Sequence, residues 1–164
     1  MRIYAYRVRY LKNKKGDSYC KFLVIILSMF NIHDNEIISY EVCLKDKKII
    51  IHSKNNYSKL NEYIDIVFYN VLVHFFENQL SHSIIFDICK YDVNKFIQDN
   101  NQLLNKRKKY CWPIDYDNIE ELISTLEKEE YNYYVISSSY GLEGWVLAKK
   151  VKLLKVKEGR DYYK

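Results

Sequence analysis

Apolar and polar positions along this 164-residue chain follow two periods. Over residues 2–10 they alternate. Tyr4, Tyr6, Val8 and Tyr10 share one face and Ile3, Ala5, Arg7 and Arg9 the other, as in a half-buried strand. A polar turn at 12–17 leads into a β-branched, apolar run at 20–30, which completes a hairpin with a central strand. Glu36–Leu44 and Ile49–His52 read as two more strands around a tight turn at 45–48, so an antiparallel meander is the economical arrangement. After Asn55 the spacing changes. Leu60, Ile64, Val67, Phe68, Val71, Leu72, Phe75 and Phe76 recur at threes and fours, which predicts a long core helix over 57–78 with Ser58 or a nearby Asn as its cap. Ser83–Cys89 reads as a short buried strand. Asp92 opens a second helix over 92–109, and the capping box Asp117-Asn-Ile-Glu120 opens a third over 116–129. Tyr133–Ser137, Gly144–Ala148 and Val151–Val156 close the chain as strands.

The expected class is therefore α+β: a mostly antiparallel sheet with one long packed helix and two shorter ones. Length and the absence of a Pro/Gly-rich linker predict one globular domain over 1–164, with a polar basic tail at 157–164. The longest apolar run, Phe22–Phe30, falls well short of the roughly 20 residues that span a bilayer, and the N-terminus lacks a signal-peptide core. A soluble, cytoplasmic protein without a membrane partner is expected.

Charge alters this outline only locally. The net charge is +5, but residues 106–109 are four consecutive cations, whereas 115–130 carry seven acids against Lys128. From Lys149 onward seven bases face two acids. Such patches steer protein partners as readily as nucleic acid, although cations at the end of one helix and acids at the start of the next also suit the helix dipoles. Glu127, Glu129 and Glu130 do not, because they sit where the third helix should end. Tyrosine accounts for 17 residues. A low-GC coding bias enriches Tyr, Lys, Asn and Ile together and accounts for part of that total, which suits a bacterial or phage source. The clustering of Tyr110, Trp112 and Tyr116 between the basic run and the acidic helix is more informative.

Catalytic chemistry is sparsely supported. Cys20, Cys43, Cys89 and Cys111 have no C-x-x-C spacing and read as reduced structural thiols, two disulfides being open on count alone. His74 and His82 are too far apart for a helical zinc pair. His33-Asp34-Asn35-Glu36 is the densest ligand-type cluster, but it occupies an expected turn. The serines at 137–139 lack the glycine of a nucleophile elbow, and Gly141-Leu-Glu-Gly144 lacks the residues of a phosphate loop. Asp46-Lys47-Lys48 follows a strand as half of a nuclease site would, without the preceding acid. Gly144-Trp145-Val146 with Val151 and Leu153 is similar to the terminal strand of bacterial SH3-like modules, a resemblance that implies no function. Neither a metal nor a cofactor is expected, and the chain leans away from being an enzyme.

Two binding roles remain. The first is a protein-binding inhibitor or neutraliser, comparable in class to bacterial immunity proteins and phage anti-defence proteins. It would occlude a toxin or effector through Tyr110, Trp112, Tyr116, Glu120, Glu121, Glu127, Glu129 and Glu130. The alternative is a nucleic-acid-binding module in which Arg7, Arg9, Lys106, Arg107, Lys108, Lys109, Lys149 and Lys150 track phosphates while aromatic rings stack on bases. They separate on whether the basic segments converge on one face. Oligomeric state is not legible at this stage.

Overall fold

A computed structural model describes residues 32–56 and 62–156. The expected hairpin over 2–30, Arg7 and Arg9 within it, the Ser58 cap and the 157–164 tail lie outside these residues. Among the described residues six strands form a closed antiparallel barrel: β1 (Glu36–Cys43), β2 (Lys48–Asn55), β3 (Glu62–Glu77), β4 (Ser83–Tyr91), β5 (Asn132–Tyr140) and β6 (Glu143–Val156), in the order β1-β2-β3-β6-β5-β4. Two helices, α1 (Val93–Arg107) and α2 (Ile119–Lys128), stand between β4 and β5 with a 3-10 turn at Lys108–Tyr110. The mixed, mostly antiparallel class holds. The long helix does not.

Residues 62–77, expected within that helix, form the longest strand. A nearly continuous apolar run satisfies the helical and strand periods alike, so spacing cannot choose between them. The Ile, Val, Tyr and Phe content favours the extended chain, where branched and aromatic side chains pack well on a pleated surface. Alternation is present beneath the run: Ile64, Ile66 and Phe68 enter the barrel core with Ile49, Ile51, Ile85, Ile136 and Val146. Past β2 the strand turns. Asn70 takes a left-handed conformation (φ 52°) and a register shift falls between Val71 and Val73, so the second half of β3 pairs with β6 alone. The three short terminal strands become two, since 143–156 is one strand.

Closure is narrow. β1 meets β4 through Glu36↔Ile84 and Ile37↔Ser83, extended by backbone bonds from Asp34 N to Ile85 O and from Ile85 N to Asn35 O. The other ladders are much longer.

The helices cover the outer face of β5 and β6. Tyr134, Ile136, Val146 and Ala148 face the barrel interior, while the alternate residues Tyr133, Trp145 and Leu147 face Phe96, Leu104, Leu122 and Leu126 of the helices. Phe96 meets Tyr133 and Trp145 edge-on at ring separations of 5.5 and 5.4 Å. Asp92 caps α1 as expected, accepting from Lys95 N at 2.9 Å. Asn100 interrupts α1 with a non-helical backbone, and its amide donates to Phe96 O and Tyr133 Oη, so the break is internally satisfied. The cap of α2 is shifted by one residue from the expected box. Asn118 accepts from Glu121 N, while Glu121 reaches back to Asp117 N.

Candidate functional site

The turn between α1 and α2 gathers the aromatic and basic residues singled out above, with three of the four cations of 106–109 each lying over a ring. Arg107 lies 5.5 Å from the Trp112 ring centre, Lys108 5.3 Å from that of Tyr116 and Lys109 4.9 Å from that of Tyr110. Their charges face the π-clouds. Lys108 Nζ also donates to the Asp117 carbonyl. Only one of the three rings is well exposed: Tyr110, at 70%. Trp112 is half-buried edge-on against Trp145 at 6.4 Å. Tyr116 is not a surface residue. It is 6% exposed and belongs to the helix–barrel core, because the chain must turn inward there to bring α2 back onto the sheet. Burial pushes its phenol pKa above the ordinary value.

The acids fall at the two ends of α2. Glu120 and Glu121 occupy the exposed first turn, where backbone N–H groups favour them. Glu127, Glu129 and Glu130 sit at the far end, all exposed. The helix stops there in a Schellman arrangement: Glu130 N donates to Glu127 O, Tyr131 N to Leu126 O, and Glu130 is left-handed at φ 60°. Glycine suits that position best. Glu129 pairs with Lys149 at 2.7 Å, which holds the carboxyl below its usual pKa and the ammonium above its own.

These contacts also locate the basic segments. Lys108 is tethered just before α2 and Lys149 at its end, so the 106–109 and 149–150 clusters are separated by the helix, about 15 Å for ten residues at 1.5 Å each. The acids of α2 stand between them.

Other candidates disperse. His33 pairs with Asp34 at 2.9 Å, Asn35 is buried against Ser53, and Glu36 accepts from Asn56 and His82 at 2.8 and 2.6 Å. Those two bonds lower the Glu36 pKa. No group of three or more potential metal ligands occurs among the described residues. Asp46 accepts from Cys43 Sγ within its turn. Cys43 and Cys89 are half-buried and Cys111 is exposed. No described helix is long and apolar enough to cross a membrane.

Two arrangements escape the sequence pattern. His52 and Asp65 are directly opposed on β2 and β3, with His52 Nδ1 2.7 Å from Asp65 Oδ1 and its Nε2 3.4 Å from Glu41 Oε1. An acid–histidine pair would suit proton transfer, but at 2% exposure the ring is closed to a substrate and pins strands together. With β3 expected as a helix, the pairing was hidden. The second is a groove at the β5–β6 turn, bordered by Tyr140 and Glu143.

No known protein family, curated protein or solved structure matches this chain.

Proposed function

We propose that this protein works by binding another protein, as a non-catalytic inhibitor or neutraliser that covers a basic site on its partner with the exposed face of α2 and Tyr110. The observation that carries this reading is the far end of α2. Glu129 is held by Lys149, but Glu127 and Glu130 oppose the helix dipole, and Glu130 also holds a conformation that costs a side-chain-bearing residue about 1 kcal/mol relative to Gly. Carboxylates kept where helix stability disfavours them support a role in contact. Tyr110, in the turn that precedes α2, adds an exposed, amphipathic ring. A toxin or effector with a cationic active site is the kind of partner this surface suits, and electrostatic steering would speed the encounter.

The nucleic-acid alternative draws on the exposed 106–109 cluster. It is weakened by the separation of the two basic clusters and by the cations already seated on Trp112 and Tyr116. The two readings part in one experiment. The protein is passed over heparin and over single-stranded DNA at about 150 mM salt, where several phosphate contacts would still retain it. In parallel, wild type and Glu120→Lys/Glu127→Lys/Glu130→Lys are cross-linked in extract of the source organism. The expected result is flow-through on both columns and a cross-linked protein that the charge-reversed variant loses despite an unchanged circular dichroism spectrum. Retention by DNA together with identical cross-linking by both proteins would overturn the proposal.

A further inference from the structure

We infer that the groove beside the β5–β6 turn is a binding site for an organic cation, a ligand ending in an ammonium or guanidinium group. The site is distinct from the α2 surface and does not rest on it. The groove has a volume of about 340 Å³ and is lined by Asn78, Leu80, Ser138, Ser139, Tyr140 and Glu143. That volume lies at the lower end of the range for small-ligand sites, and barrel mouths commonly carry such sites.

Its chemistry favours positive charge. Glu143 is the carboxylate in the lining, and Glu77, outside the lining, lies directly across the β3–β6 ladder from it. Like charges in that relation repel, and among the described residues neither has a basic ion-pair partner. Glu143 Oε1 is held by Asn78 Nδ2 at 2.7 Å, which orients the carboxylate and leaves Oε2 for a ligand. Across the turn Tyr140 lines the groove and is 54% exposed, and an aromatic ring there attracts cations. The hydroxyl of exposed Ser139 supplies an acceptor, and Leu80 an apolar wall for an alkyl chain.

The walls are fixed. Gly141 has φ 79°, and a Cβ there would stand 2.2 Å from Ser83 Oγ. Ser83 Oγ in turn accepts from Leu142 N and donates to Leu80 O, joining the β3–β4 and β5–β6 turns. A ligand would meet two turns already tied together, which lowers the entropic cost of binding.

The test titrates the full chain with spermidine and, separately, with Nα-acetylarginine amide, following amide chemical shifts by NMR. The expected result is saturable shifts at Tyr140, Gly141 and Glu143 with one or both probes. A response to spermidine alone identifies a polyamine-type ligand, and a response to the arginine derivative alone a basic side chain. Glu143→Gln keeps the acceptor for Asn78 and should weaken binding about fivefold, while Tyr140→Ala should weaken it about threefold and Tyr140→Phe leave it unchanged. Shifts of equal size at Glu120 and Glu127 would mean diffuse counter-ion attraction and overturn the proposal. So would the same groove shifts with sorbitol, or binding unaltered by Glu143→Gln.

Discussion

Tyr134 shows how a single buried side chain couples this fold to pH. Its ring stands in the barrel core 5.6 Å from Phe68, and burial pushes its phenol up to about 12. The neutral form is the one the fold favours, so the contribution to stability is whole below the unfolded value of about 10 and is lost as pH rises through the folded value. The difference corresponds to roughly 2–3 kcal/mol. Tyr133 and Tyr116 are shifted upward by burial too, and act in the same direction. Denaturant titrations between pH 9 and 12 should therefore show falling stability in the wild type and a shallower fall in Tyr134→Phe; identical slopes would refute the coupling. At this scale the sequence was only half legible. Asp92 capped its helix as its position required, because capping is a local event within three residues. The fate of Tyr116 depended on how the chain folds back onto β5 and β6, and no neighbour in sequence encodes that.

At the scale of elements, α2 is the most informative piece. Its start is conventional, with Asn118 accepting from Glu121 N and acids in the first turn. Its end is not. Replacing Glu130 by glycine relieves the left-handed strain and removes one charge from the wrong end of the dipole, so Glu130→Gly should stabilise the protein by about 1 kcal/mol. Thermal melts of the two proteins would check this, and a lowered melting temperature would contradict it. The misread strand β3 carries the opposite lesson. Amphipathic elements disclose their period through the polar residues that interrupt them, and α2 was found over nearly its true extent for that reason. Residues 62–77 offer few interruptions: Asp65 is buried against His52, and Asn70 marks a bend. Where both faces are covered, hydrophobicity loses its period, and β-branched and aromatic content becomes the better guide.

Over the whole molecule, the sheet is closed by its shortest ladder. Strand existence could be read along the chain, but closure requires β1 and β4 to meet, and two residue pairs leave no pattern to read. The same brevity predicts where the barrel opens first. Hydrogen exchange should be at least about tenfold faster at Asp34 and Ile85, whose amides make the seam bonds, than at Ile66 in the middle of β3. Equal protection at the three sites would show the seam to be as strong as the long ladders. The candidate α2 surface, by contrast, was largely visible in the charges of residues 115–130, since exposed acids need no tertiary partner to be recognised. The groove was not, because it is assembled from two turns far apart in the chain.

Both tryptophans of the protein lie where the helices meet the barrel, Trp112 edge-on to Trp145. Intrinsic emission excited at the indole band therefore reports on that seam of aromatic packing and on little else, while the far-ultraviolet dichroism sums the backbone of strands and helices together. Comparing the two signals during denaturation gives an optical measure of whether the helical cover lifts before the barrel melts, without any label being attached.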